Sequence, residues 1–176
     1  MKTRFIKTVL FLTLFLLGAC NFPGLGAPST DQEYAYTECS YVWAREPLPD
    51  LSEEFRAALT AVQPRADGHA EAYGENCLND KGDVIRFSAM ETDFYVVLKV
   101  NDLEDKAMLG DMIKQVLSVV ANFPKENTPG PQSGFVGITF ESSADQLRLW
   151  FTQVDAQAAL DNGLRGEELF KALQTK

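Results

Sequence analysis

Apolar and polar residues change their spacing several times along this chain, and each change marks an element. Residues 34–44 alternate loosely, with Cys39, Tyr41 and Trp43 on one side, and Pro47 and Pro49 end this extended segment. Over residues 50–62, Leu51, Phe55, Ala58, Leu59 and Val62 share one helical face. Asp50 and Glu53 have the spacing of a capping box there, and Pro64 stops the run. Asp67-Gly68 then turns the chain into a strand over 69–77, and residues 79–83, Asn-Asp-Lys-Gly-Asp, turn it back into 84–90 as a hairpin. A bulge or bend is expected at Glu91 and Thr92. Beyond it Phe94, Val96, Leu98 and Val100 alternate with Tyr95, Val97 and Lys99, and because both faces are largely apolar this strand is placed centrally in a sheet.

The second half repeats the order. Asn101, with Glu104 three residues on, is read as the N-cap of a helix whose wide apolar face includes Leu109, Ile113, Val116, Leu117 and Val120. Gly110 would permit a close contact on that helix. Phe123-Pro124 ends it, and a loop containing Pro129-Gly130-Pro131 leads to residues 134–141, which pair through 142–145 with Leu147, Leu149 and Phe151 as a second hairpin. Short helices over 155–161 and 166–174 close the chain, separated by Asn162-Gly163, whose glycine suits a left-handed C-cap. Helix, strand, strand thus occurs twice, over 50–100 and 101–154, as a duplication or as a coincidence of order, since the copies share little residue identity. The predicted fold is α+β: two layers, an antiparallel sheet of about five strands, and helices mostly on one face.

The N-terminus follows a different pattern. Lys2, Arg4 and Lys7 make a basic N-terminal region, and Phe5 through Leu17 supplies roughly a dozen mostly apolar residues, too short to span a bilayer as a helix and suited to a cleaved signal peptide. Leu17-Gly18-Ala19-Cys20 closes that run. It resembles the lipobox of bacterial lipoproteins, in which an apolar residue and two small residues precede an invariant cysteine.

That resemblance implies that Cys20 is joined by thioether to a diacylglycerol, that residues 1–19 are removed, and that acyl chains anchor the protein at the membrane, each buried methylene contributing about 0.8 kcal/mol. It also implies a site facing outside the cytoplasm, on the cell membrane or, by the sorting rule that Asn21 next to the cysteine would satisfy, on an outer membrane. The organisation expected is a signal peptide over 1–19, a lipidated cysteine and Pro, Gly, Ala and Ser-rich tether over 20–33, and one α+β domain over 34–176.

Charge narrows the partners. The formal net charge is −9, and residues 1–19 hold three of the 16 basic residues and none of the 25 acidic ones, so processing would make the chain more acidic still. Nucleic acid is a poor partner for such a surface, and direct attraction to anionic headgroups is equally disfavoured. The membrane partner is reached through the lipid. Once Cys20 is used, Cys39 and Cys77 are left as an even pair in an exported chain, most simply a disulfide. A buried pair of free thiols or a metal site are the competing readings, and one distant His69 does not complete a zinc ligand set.

Candidate chemistry is sparse. His69 and Glu71 share a strand face, which makes a general-base pair geometrically possible, although an exposed residue after a tight turn is the favoured account of His69. Asn79, Asp80 and Asp83 offer oxygens but lack the spacing of a calcium loop, and a hairpin turn explains them. Asp102, Glu104 and Asp105 suit the positive end of a helix. Arg148 and Trp150 share the strand face opposite Leu147, Leu149 and Phe151. With Tyr95, Val97 and Val154 they form a candidate interaction surface, unless Trp150 is buried with Arg148 reaching out at the rim. No catalytic motif and no cofactor is expected. The function expected is a lipid-anchored envelope protein acting as a binding or interaction module for an unidentified protein or small molecule; the alternative is an envelope enzyme whose site motifs do not reveal.

Overall fold

The structure is a computed structural model that describes residues 39–174. Cys20, the signal peptide over 1–19 and the tether over 20–33 lie outside the described residues. Five strands and four helices follow one another as β1 (Ser40–Pro47), α1 (Pro49–Val62), β2 (Ala66–Leu78), β3 (Val84–Lys99), α2 (Lys106–Val120), β4 (Gln132–Glu141), β5 (Gln146–Thr152), α3 (Gln153–Asp161) and α4 (Gly166–Gln174), with a short 3-10 turn at Lys125–Asn127. The fold is α+β. The strands lie in one sheet in the order β1-β2-β3-β4-β5, which puts β3 in the middle as its two apolar faces require.

The sheet is mixed rather than antiparallel throughout. β1–β2, β2–β3 and β4–β5 are antiparallel, but β3 and β4 run parallel. The reason is the connection: the chain leaves β3, crosses one face as α2 and re-enters beside β3, a path that yields parallel neighbours where a tight hairpin would not. The α-β-β order does recur, yet α1-β2-β3 and α2-β4-β5 have opposite hands. Both helices contribute to the same core against one sheet face, while β4 points opposite to β2. Turning one unit about the sheet normal to match strand directions puts its second strand on the wrong side of its first. No rotation superimposes them, so the recurrence is one of order only.

The core lies between the sheet and the helices. Phe94, Val96, Leu98, Val136, Ile138, Phe140, Leu149 and Phe151 meet Phe55 and Leu59 of α1, Leu109, Ile113 and Val116 of α2, and Leu169, Phe170 and Leu173 of α4, all buried. Gly110 permits a close contact as expected, but with α4: a Cβ there would stand 1.8 Å from the Gly166 carbonyl oxygen. Gly163 takes the left-handed conformation (φ 80°) just past α3.

Two helix starts differ from the sequence reading. α1 begins at Pro49 after Leu48, without the expected side-chain cap from Asp50. Instead, buried Ser52 accepts from the Ala70 N–H at 2.9 Å and donates to the Leu48 carbonyl at 2.6 Å, while Leu48 N–H bonds the Ala70 carbonyl at 3.1 Å. β1 stops pairing at Pro47 opposite Glu71, so Ala70 has no strand partner on its β1 side and the start of α1 supplies one. In α2 the N-cap is Asp105, accepting from Met108 N–H at 2.9 Å, not Asn101. Val100 N–H is still held by the Glu141 carbonyl at 2.9 Å, so the sheet retains the chain too long for a helix to start at 101.

β3 is continuous: its register shifts against β2 next to Met90 and against β4 between Thr92 and Phe94, on either side of the expected Glu91 and Thr92, and a further, unexpected shift against β2 skips Ile85. Cys39 and Cys77 stand at disulfide distance with Cα atoms 5.0 Å apart, tying the chain just before β1 to the end of β2.

Candidate binding surface

With α1, α2 and α4 on one face of the sheet, the alternate residues of every strand project from the other. β1 extends the sheet beyond β2, and α3 and α4 contribute their buried residues to the helix-side core, so nothing among the described residues covers that second face. Strand register arranges it in rows. His69, Tyr95, Gly137 and Trp150 lie side by side across β2 to β5, and Asp67, Val97, Thr139 and Arg148 form the next row. Toward β1, Arg45 stands opposite Tyr73 and Trp43 opposite Glu75.

The aromatic residues form a nearly continuous band. Trp43 stacks on Tyr73 with ring centroids 5.3 Å apart, and His69 stacks on Tyr95 at 4.7 Å. Tyr95 leans on Trp150 at 5.3 Å, and Trp150 lies parallel to Phe135 at 5.3 Å. The Arg45 guanidinium sits 5.1 Å from the centre of the Tyr73 ring and 5.9 Å from that of Tyr95. Gly137 makes room for the indole, since a Cβ at that position would be 2.5 Å from the Trp150 ring. Trp150 therefore rests against the sheet and is 36% exposed.

Beneath this band lies a charged group that the sequence reading passed over. Asp93 is 1% exposed although its carboxylate points to the open side. Its Oδ1 accepts from Phe135 N–H at 2.9 Å and its Oδ2 from Arg45 Nη1 at 3.1 Å. The register shift between β3 and β4 leaves Phe135 N–H without a ladder partner, and the Asp93 side chain replaces it. Arg45 also donates to the Tyr95 hydroxyl and lies 3.9 Å from Glu71. Burial pushes the Asp93 carboxyl up, against the pull of Phe135 N–H and Arg45. Burial and then the charge of Asp93 push Glu91 up, and burial pushes the Tyr95 phenol up to about 12. These groups hold the sheet at its irregularity; Asp93 is too enclosed to meet a substrate.

Tyr95, Val97, Arg148 and Trp150 come together around one cleft of about 320 Å³, whose other walls include Asp67, His69, Gly137 and Thr139. Val154 does not join them. β5 ends at Thr152, and Val154 sits on α3, 63% exposed. His69 Nε2 is 3.8 Å from Glu71 Oε1, beyond hydrogen-bond reach, and its ring is committed to Tyr95. Asn79 Oδ1 accepts from Lys81 and Asp83 N–H, both at 2.9 Å, and Gly82 has φ 83°, so these residues build the hairpin turn. Among the described residues no cluster of His, Cys, Asp or Glu is arranged to hold a metal ion. The residues missed in the sequence, Arg45, Asp93, Phe135 and Gly137, left two signals: an acid inside an apolar strand and a glycine inside an alternating one. No protein-family model, no curated protein and no solved structure matches this chain.

Proposed function

We propose that this is a lipid-anchored protein of the bacterial cell envelope that binds a ligand or partner outside the cytoplasm through the open face of its sheet. The observation that carries the binding half is the cleft beside Trp150, where a half-open indole adjoins polar and apolar walls on a face that no other described element covers. A site combining an apolar floor with few polar groups is the usual form of a small-ligand cleft. The anchoring half rests on the Leu17-Gly18-Ala19-Cys20 run, and no helix among the described residues is long and apolar enough to cross a membrane.

The test is Trp150→Glu in the full chain. Trp150 is exposed on one side, so the variant is expected to melt close to the wild type while losing whatever ligand or partner co-purifies with wild type from native membranes. A variant that retains all bound species, or a wild type with nothing to lose, rejects the binding role. A collapse in melting temperature would instead make Trp150 part of a core.

A further inference from the structure

Resting on that reading of the open face, the chemistry of the cleft narrows its ligand. Its polar walls differ in what they have left to offer. Asp67 Oδ1 accepts from Arg56 Nε and from Gly68 N–H, both at 2.7 Å, which pairs its charge with Arg56. The His69 ring is stacked on Tyr95 while its nitrogens make no hydrogen bond among the described residues, Nε2 lying 3.8 Å from Glu71, and the Tyr95 hydroxyl is held by Arg45. Lys99, one row further along the face, is paired with Glu141. Arg148 is exposed, and neither it nor Thr139, its partner directly across the β4–β5 ladder, makes a side-chain hydrogen bond or ion pair among the described residues.

The cleft thus presents an unpaired guanidinium and hydroxyl side by side at one end, with the His69 imidazole and the Asp67 carboxylate on the opposite wall. The remaining floor and walls are Val97, the Tyr95 ring and the indole edge of Trp150. A cationic ligand would find the cleft's one carboxylate already paired with Arg56. A guanidinium next to an aromatic wall suits a planar carboxylate joined to a flat apolar body. In a chain of formal charge −9, an unpaired arginine on this face also marks where an anion is tolerated.

We infer that the cleft binds a small organic acid carrying a flat ring, its carboxylate on Arg148 and Thr139 and its ring over Val97 against Trp150. A volume of about 320 Å³ accommodates one such molecule.

The experiment uses the full chain in detergent with Trp43→Phe, which leaves Trp150 as the sole tryptophan, since the chain has two. Phenylacetate and benzoate are titrated while Trp150 emission is read, with acetate and phenylacetamide as probes lacking the ring or the charge. A saturable change is expected with at least one ring acid at millimolar concentration. Phenylacetamide and the Arg148→Ala variant should bind at least about tenfold more weakly, a factor equivalent to about 1.4 kcal/mol. Thr139→Val should weaken binding less, with an unchanged melt. Silence toward both ring acids overturns the inference, as does equal binding of phenylacetamide or an unaffected Arg148→Ala. If the ring acids fail while Trp150→Glu still loses a membrane-derived ligand, the ligand class is wrong and the binding role stands; failure of both removes the two together.

Discussion

Gly137 and Trp150 face each other across the β4–β5 ladder, and the indole occupies the place where a side chain on residue 137 would stand. One small residue in an alternating strand thereby sets the orientation of the largest side chain on the open face. Gly137→Ala puts a Cβ within 2.5 Å of that ring. The indole must lift, and the expected cost is about 1–3 kcal/mol, the usual range for overpacking. Acrylamide quenching of Trp150 should rise, measured with Trp43→Phe in both proteins. Unchanged quenching and stability would show that the ring does not rest there.

Asp93 has two separable duties, one to the Phe135 N–H and one to Arg45. Asp93→Asn keeps an acceptor for the backbone, whereas Asp93→Ala leaves a donor without one. Urea unfolding should find the alanine variant less stable than the asparagine variant by about 1–3 kcal/mol, the cost of an unsatisfied buried group. Equal stability of the two would mean that the N–H finds another partner.

The pH dependence has a definite sign. Asp93 is raised from its ordinary 3.8 by burial, so the folded state holds that proton more tightly than the unfolded chain does. Its contribution to stability is full below 3.8 and is lost as pH rises through the elevated folded value. Glu91, raised mainly by burial, acts in the same direction. Wild type measured against Asp93→Asn should therefore lose relative stability as pH climbs from the acid range toward neutrality. Melting curves of the two proteins across that window check it, and a difference that grows toward acid in favour of the variant contradicts it.

The Cys39–Cys77 pair closes a segment of 38 residues. Linking a loop of that size stabilises by up to about 4 kcal/mol on the chain-entropy model. In non-reduced protein prepared from the envelope, both thiols should resist alkylation, and Cys77→Ser should lower the melting temperature. Mass spectrometry recovering two alkylated cysteines from quenched native protein would rule the bond out.

Cys20→Ala should block acyl attachment and leave an unprocessed precursor with residues 1–19 in place. Metabolic labelling with a fatty acid, followed by intact mass, reads both consequences. Persistence of label in the variant would remove the anchor.

Local chemistry was legible in the sequence wherever the cause was local. Period-two runs located the strands, the face of Phe55 and Leu59 located α1, Gly82 and Gly163 marked turns that require positive φ, and an even cysteine pair indicated Cys39 with Cys77. Even the four surface residues Tyr95, Val97, Arg148 and Trp150 could be assigned to one face, because alternation within a strand fixes which residues share a side. Tertiary structure alone decided the rest. Alternation does not say which strands are neighbours or in which direction they run, so the parallel β3–β4 pair emerged only once α2 crossed the sheet. The rows that bring Tyr95 to Gly137 and Val97 to Thr139 depend on a β3–β4 register fixed by burial between segments distant in sequence. Asp93 illustrates the limit: its partners, Arg45 and Phe135 N–H, are 48 and 42 residues away, and they exist because a bulge in the β3–β4 pairing left a donor that needed an acceptor.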